Sequence, residues 1–100
     1  MTKDEAAYQR DVRGIGCIAC IVSLGFSSPC DIHHLLSGGR KIGEMFVLGL
    51  CPPHHRSGLN NDTVVSRHHW KAEFERRYGT EAQLLARTRA LVADRRRMAA

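Results

Sequence analysis

Cys30-Asp31-Ile32-His33-His34-Leu35 and, further along, Leu50-Cys51-Pro52-Pro53-His54-His55-Arg56 are the segments on which the reading of this chain turns. Cys17-Ile18-Ala19-Cys20 lies upstream, so four cysteines and four histidines fall within residues 17–55. Cys17-x-x-Cys20 and Cys51-x-x-His54 are two-residue knuckles, a spacing that lets both side chains of each half point at one ion. Together they make a closed Cys3His set, which suits structural zinc. A chain this short buries a small core, and a structural zinc contributes on the order of 10 kcal/mol to folding in small modules. The bland alternative, ordinary small core residues, explains a lone C-x-x-C. It does not explain a second knuckle that ends in histidine and carries prolines and a further histidine. Cys30 is held in reserve: it is a substitute for one of the four ligands, a helper of a second ion, or, as we favour, a buried or supporting thiol on the strand that it opens.

Working outward, residues 30–36 read as a short strand and Ser27-Ser28-Pro29 before them as a turn. Residues 37–43 read as a flexible basic loop, and 46–51 (FVLGLC) as a second strand, β-branched and aromatic, stopped by Pro52-Pro53. Prolines suit the first turn of a helix, where the N–H is unpaired anyway, so His54 and His55 are expected at a helix start. The pattern is a ββα unit. A short helix is expected around Asp4–Arg13. Ser66 is expected to cap a helix over Arg67–Tyr78 that Gly79 ends. Thr80-Glu81-Ala82-Gln83 is a capping-box pattern opening a last helix from Glu81 to about Arg97, with Leu84, Leu85, Ala86, Leu91 and Val92 on one face. The expected fold class is α+β: a small zinc-stapled ββα core with flanking helices. The single domain divides into a polar segment (1–14), the knuckles and core (14–60) and the C-terminal helices (66–97). There is no internal repeat.

The length of 100 residues fits one domain. The formal net charge is +5, and twelve of the fifteen basic residues are arginine, whose fork suits phosphate; a polyanionic partner follows, against the plainer reading of a solvated basic surface. Met1-Thr2-Lys3-Asp4-Glu5 opens a polar stretch without the apolar core of a signal peptide, and no apolar run approaches the ~18 residues that span a membrane. The expectation is a cytoplasmic protein with no membrane partner, in which four cysteines are better metal ligands than disulfides.

Adjacent strand residues face opposite sides, so one histidine of a doublet can hold a metal while its neighbour faces a substrate. Phosphodiester hydrolysis needs both parts: a cation to stabilise charge on the phosphate and a base to activate water. Neutral imidazole is suited to the second task near pH 7. The set C-x-x-C, D-I-H-H-L and L-C-P-P-H-H-R resembles the HNH (ββα-metal, His-Me finger) nucleases. With Arg67-His68-His69-Trp70-Lys71-Ala72-Glu73-Phe74-Glu75-Arg76-Arg77-Tyr78-Gly79, the chain is most similar to the Ref-like, RecA-dependent recombination-enhancement nucleases of phages and prophages. The resemblance covers roughly residues 14–90. It implies that His34 is the general base and that His33, His55 and His68 hold the catalytic metal, while His69 competes with His68 for that place. It implies a structural Zn2+ at Cys17, Cys20, Cys51 and His54, and a catalytic Mg2+, Mn2+ or Zn2+.

The resemblance departs at one place. HNH nucleases often carry an asparagine shortly before the second knuckle, where it orients the base; here Glu44-Met45-Phe46-Val47-Leu48-Gly49 has none, and Asn60 and Asn61 lie too far along. A backbone carbonyl is the expected replacement. Arg40 and Lys41, beside the flexible Gly38-Gly39, and Arg56 are the candidate DNA contacts. Arg95-Arg96-Arg97 reads as a basic tail adding salt-dependent affinity. Trp70, Phe74 and Tyr78 recur at four-residue spacing, which favours a packed helix face over a base-stacking platform.

The function implied is a metal-dependent DNA endonuclease using the HNH one-metal mechanism, largely nonspecific in sequence, encoded by a phage or prophage in a bacterial host, with DNA and a RecA nucleoprotein filament as partners. Two alternatives stand beside it: a non-catalytic zinc module that binds nucleic acid or a protein, and an HNH accessory protein of phage genome packaging. His34 separates them, because a purely structural module has no use for an extra histidine beside a ligand.

Overall fold

The helix expected around Asp4–Arg13 runs over Lys3–Ile15 (α1) in the computed structural model, which describes residues 1–99. Its start is a capping box that the sequence carries: Glu5 N–H donates to the Thr2 hydroxyl and Thr2 N–H to the Glu5 carboxylate. It stops at Gly16, whose φ of 93° lies in the region that favours glycine and whose absent Cβ would sit 2.6 Å from the Ser28 carbonyl oxygen. Cys17 then caps the next helix, Ile18–Leu24 (α2), its Sγ accepting from Cys20 N–H.

Asp31–His34 (β1) is one strand of an antiparallel pair. Two residues each of Leu36–Ser37 (β2) and Arg40–Lys41 (β3) form a small hairpin turned by Gly38-Gly39, where a flexible loop was expected. Val47–Leu50 (β4) pairs with β1 in the register Asp31↔Leu50, Ile32↔Gly49, His33↔Leu48, His34↔Val47. All four β4 residues are buried, as a near-continuous apolar strand should be. Pro52–His55 (α3) follows at once, a single turn with its prolines at the first helical positions. The two expected strands and the helix start are therefore present in order.

The main core gathers α2, β4, Val65, Phe74, Tyr78, Leu84 and Leu85 around the knuckles. A smaller cluster of Tyr8, Val12, Val47 and Val92 joins α1 to β4 and to the middle of the last helix.

The C-terminal half departs from expectation at Ser66. The helix there starts only at Lys71 (Lys71–Tyr78, α4), with Trp70 at its cap position. The reason is a competing use of backbone donors: Arg67 N–H donates to the His54 carbonyl and His68 N–H to the His55 carbonyl. Chain 66–70 is thus laid along α3 and cannot coil. The Ser66 hydroxyl donates to the Pro53 carbonyl and accepts from Leu59 N–H, a buried joint and not a cap. His69, with φ 77°, makes the turn into α4. Phe74 and Tyr78 are buried as expected, whereas Trp70 stays 42% exposed.

The last helix, Glu81–Ala99 (α5), opens with the expected capping box: Gln83 N–H donates to the Thr80 hydroxyl and Thr80 N–H to the Gln83 amide oxygen. Its buried stripe is Leu84, Leu85, Thr88 and Val92, with Leu91 packed beside it. Ala86 is exposed, contrary to expectation. Two helical steps past Leu84 turn it about 200° away from the core, and Thr88, one turn on, takes the inward place. Among the described residues no helix is long and apolar enough to cross a membrane.

Candidate functional site

Cys17, Cys20, Cys51 and His54 converge in the main core, all four buried, with one ligand atom from each within 4.8 Å of the others. Cys20 Sγ lies 3.8 Å from Cys51 Sγ, and His54 Nδ1 lies 3.5 Å from Cys20 Sγ and 3.6 Å from Cys17 Sγ. Four ligands arranged tetrahedrally at zinc bond lengths stand about 3.5–3.8 Å apart, so the set fits that ion. Burial pushes the Cys17 thiol up to about 12, so a bound cation is what would make a thiolate stable there. The His54 ring is oriented from behind: its Nε2 meets the Tyr78 hydroxyl at 3.1 Å, and that hydroxyl accepts from Val65 N–H. Such an arrangement leaves Nδ1 for the metal. Ser28 Oγ lies 3.2 Å from Cys20 Sγ. Cys30 stays outside the cluster, half-buried, with its sulfur against the open face of Gly49.

His33 and His34 are neighbours on β1 with separate sets of partners. His33 Nδ1 lies 3.2 Å from His55 Nε2. Two nitrogens bound to one ion at about 2.0–2.1 Å sit roughly 3.0–3.4 Å apart, so this pair fits a shared divalent cation. Burial, with His33 beside it, holds the His55 imidazolium down to about 4, which keeps the ring neutral at pH 7. Its Nδ1 is buried without a hydrogen-bond partner. His33 Nε2 faces the Glu81 carboxylate at 3.0 Å.

His34 Nε2 lies 3.1 Å from Glu44 Oε2. Gln9, reaching over from α1, donates its side-chain N–H to the same oxygen (3.0 Å) and to the Glu44 carbonyl (2.8 Å). The expected backbone carbonyl is therefore not the partner; a carboxylate is. The hydrogen bond from His34, then that from Gln9, lower the Glu44 carboxyl below its ordinary value. With Nε2–H donated to Glu44, Nδ1 of His34 carries the free lone pair.

A cavity of about 400 Å³ is lined by His33, His34, Lys41, Arg56, Arg67 and His68. The structure thus brings His68 to the same cavity as His33, and the ring of His69 lies against that of His68, tilted by 43° with 3.9 Å between centroids. The three histidines expected to hold a second metal do not present three clustered ligand atoms; among the described residues the Cys3His set alone does so. Lys41 and Arg56 reach the cavity, while Arg40 lies beside it on the hairpin.

Glu44, Glu81, Gln9 and Arg67 are the polar groups that reading the sequence missed. Glu44 had a signal: it is the one carboxylate in the stretch searched for asparagine. Glu81 had none, since 48 residues separate it from His33.

A protein-family model described as "Recombination enhancement, RecA-dependent nuclease" matches residues 2–93. YdfU, an uncharacterized protein of Escherichia coli (strain K12), is 34% identical over 85 residues, covering 80% of this chain and 20% of that protein. The chain therefore spans about a fifth of the length of this curated relative. No solved structure matches it.

Proposed function

The chain belongs to the family of recombination-enhancement, RecA-dependent nucleases, and from that premise we propose that it is a metal-dependent DNA endonuclease with the one-metal chemistry of HNH nucleases. The observation that carries the proposal is the division of labour at β1. His33 is paired with His55 at a spacing suited to one cation, while His34, its neighbour on the strand, is held through Nε2 by Glu44 and opens onto the same cationic cavity.

A divalent ion at His33 and His55 would supply the positive charge that stabilises the phosphorane-like transition state and the leaving oxygen. His34 takes the proton from the attacking water at Nδ1, because its Nε2 is committed to Glu44. Glu44, itself steadied by Gln9, keeps that tautomer and stabilises the imidazolium that forms. Arg56, Arg67 and Lys41 bring fixed positive charge to the phosphates around the cut. Cys17, Cys20, Cys51 and His54 would hold a zinc ion that fixes the knuckles, and so the strand and α3, in place. DNA is the substrate and a RecA filament the directing partner.

One observation favours the second reading, a zinc module without catalysis: the Cys3His set is the one full ligand cluster among the described residues. The two readings part at His34. Plasmid DNA incubated with Mg2+ or Mn2+, with and without RecA and ATP, should be nicked by the wild type. His34→Ala should keep its zinc and its fold and lose cleavage by roughly 100-fold or more. A wild type that nicks nothing under every divalent metal, with RecA present, overturns the enzyme reading. A His34→Ala protein that loses zinc and unfolds overturns the role given to His34.

A further inference from the structure

We propose that Glu81, the first residue of α5, is a positioning residue that decides which nitrogen of His33 is offered to the catalytic cation and at the same time holds Arg67 over the phosphate. The inference rests on the function proposed above and deepens it.

The geometry is a carboxylate shared between two groups of one site. Glu81 Oε2 lies 3.0 Å from His33 Nε2 and 2.9 Å from Arg67 Nε, and Lys71 Nζ stands 3.6 Å from Oε1. His33 and Glu81 are 13% and 14% exposed, so neither partner is loosely solvated. The carboxylate is also fixed at its root: Glu81 N–H donates to the Glu75 carboxylate at 2.8 Å, and the Thr80–Gln83 capping box sets the start of the helix. A carboxylate can only accept here, so His33 must carry its proton on Nε2. Nδ1 is then the lone-pair nitrogen, and Nδ1 is the atom 3.2 Å from His55 Nε2. Without Glu81 the His33 ring is free to take the other tautomer, which would put a proton where the cation should bind.

Arg67 gains a different benefit. Its backbone N–H is tied to the His54 carbonyl and its Nε to Glu81, so the guanidinium reaches the cavity from two fixed points. Binding through Nε leaves the terminal nitrogens as donors for a phosphate. One acidic side chain thus registers the metal-side imidazole against the phosphate-side arginine.

Mn2+ binding to the zinc-loaded full chain is measured by calorimetry for wild type, Glu81→Ala, Glu81→Gln, His33→Ala and the His33→Ala/Glu81→Ala double variant. Loss of such a supporting hydrogen bond typically costs about 10–100-fold in metal affinity. Glu81→Ala should show that loss with unchanged zinc content. Glu81→Gln, which keeps an acceptor, should recover much of it, and the double variant should bind no worse than His33→Ala alone. Nitrogen-15 spectra of the wild-type His33 ring should show the Nε2–H tautomer, a readout that survives even where Glu81→Ala fails to fold. Unchanged Mn2+ affinity in a folded Glu81→Ala, an additive loss in the double variant, or the Nδ1–H tautomer overturns this inference while leaving a cleaving wild type intact. A wild type that binds no Mn2+ beyond its zinc and cuts nothing overturns the function and the inference together.

Discussion

His34 and Glu44 meet across ten residues of chain and Gln9 joins them from α1, so the base of the proposed reaction is set by three separate side chains. Glu44→Ala should lower the cleavage rate by roughly 10–100-fold with little change in KM, and Glu44→Gln should restore part of it, as steady-state kinetics on plasmid DNA will show. Gln9→Ala should cost less, since it removes only the support of a support. A different residue-scale demand falls on Gly49. A Cβ there would lie 2.6 Å from the Gly16 carbonyl oxygen and 2.7 Å from Cys30 Sγ, so Gly49→Ala should destabilise by about 1–3 kcal/mol in urea unfolding. The reason is backbone-to-backbone contact: β4 passes directly against the turn that launches the upstream knuckle.

At the scale of elements, what was legible in the chain was what is local. Two knuckles, a strand ending in His33-His34, a strand stopped by Pro52-Pro53 and the Thr80–Gln83 capping box all declare themselves within a few residues, and all stand as expected. The start of α4 did not, because Ser66 has the composition of a cap while its neighbours' N–H groups are taken by α3. Propensity describes an isolated segment, and here a neighbouring turn outcompetes it. The same laying-down of residues 66–70 along α3 explains why Arg67 and His68 reach the cavity, and why the Glu81 contacts could not be foreseen. His69 absorbs the bend at φ 77°, a conformation costly to side chains, so His69→Gly should leave thermal stability equal or raise it by up to about 1 kcal/mol, despite the lost ring contact with His68. Tyr78→Phe should act in the opposite direction. It leaves Val65 N–H and His54 Nε2 without their partner and should cost about 1–3 kcal/mol, with weaker zinc retention against a colorimetric chelator.

For the whole molecule, acid is the revealing perturbation. The hydrogen bond from His33, then those of Arg67, hold the Glu81 carboxyl at about 2, below its ordinary 4.5, against the opposing pull of burial. A depressed carboxyl stabilises the fold above its unfolded pKa and gives that contribution up as pH falls through the folded one. The Glu81 share is therefore complete above about pH 4.5 and is lost towards pH 2. Urea midpoints followed down that range should fall more steeply for wild type than for Glu81→Gln, the difference between the two isolating this group from the acid release of zinc. The widest consequence lies in α3, a single turn in which His54 faces the sulfur cage and His55, the very next residue, faces His33. No linker separates the residues that could hold a structural ion from those proposed to cut. A freshly made chain that has not yet met zinc should lack an ordered β4–α3 corner and with it the proposed cutting centre, so the proposed nuclease would be born disarmed and switched on by its own maturation. Protein stripped by a strong chelator should lose helical circular dichroism and DNA nicking together, and Zn2+ alone should return the structure before Mg2+ or Mn2+ returns the activity.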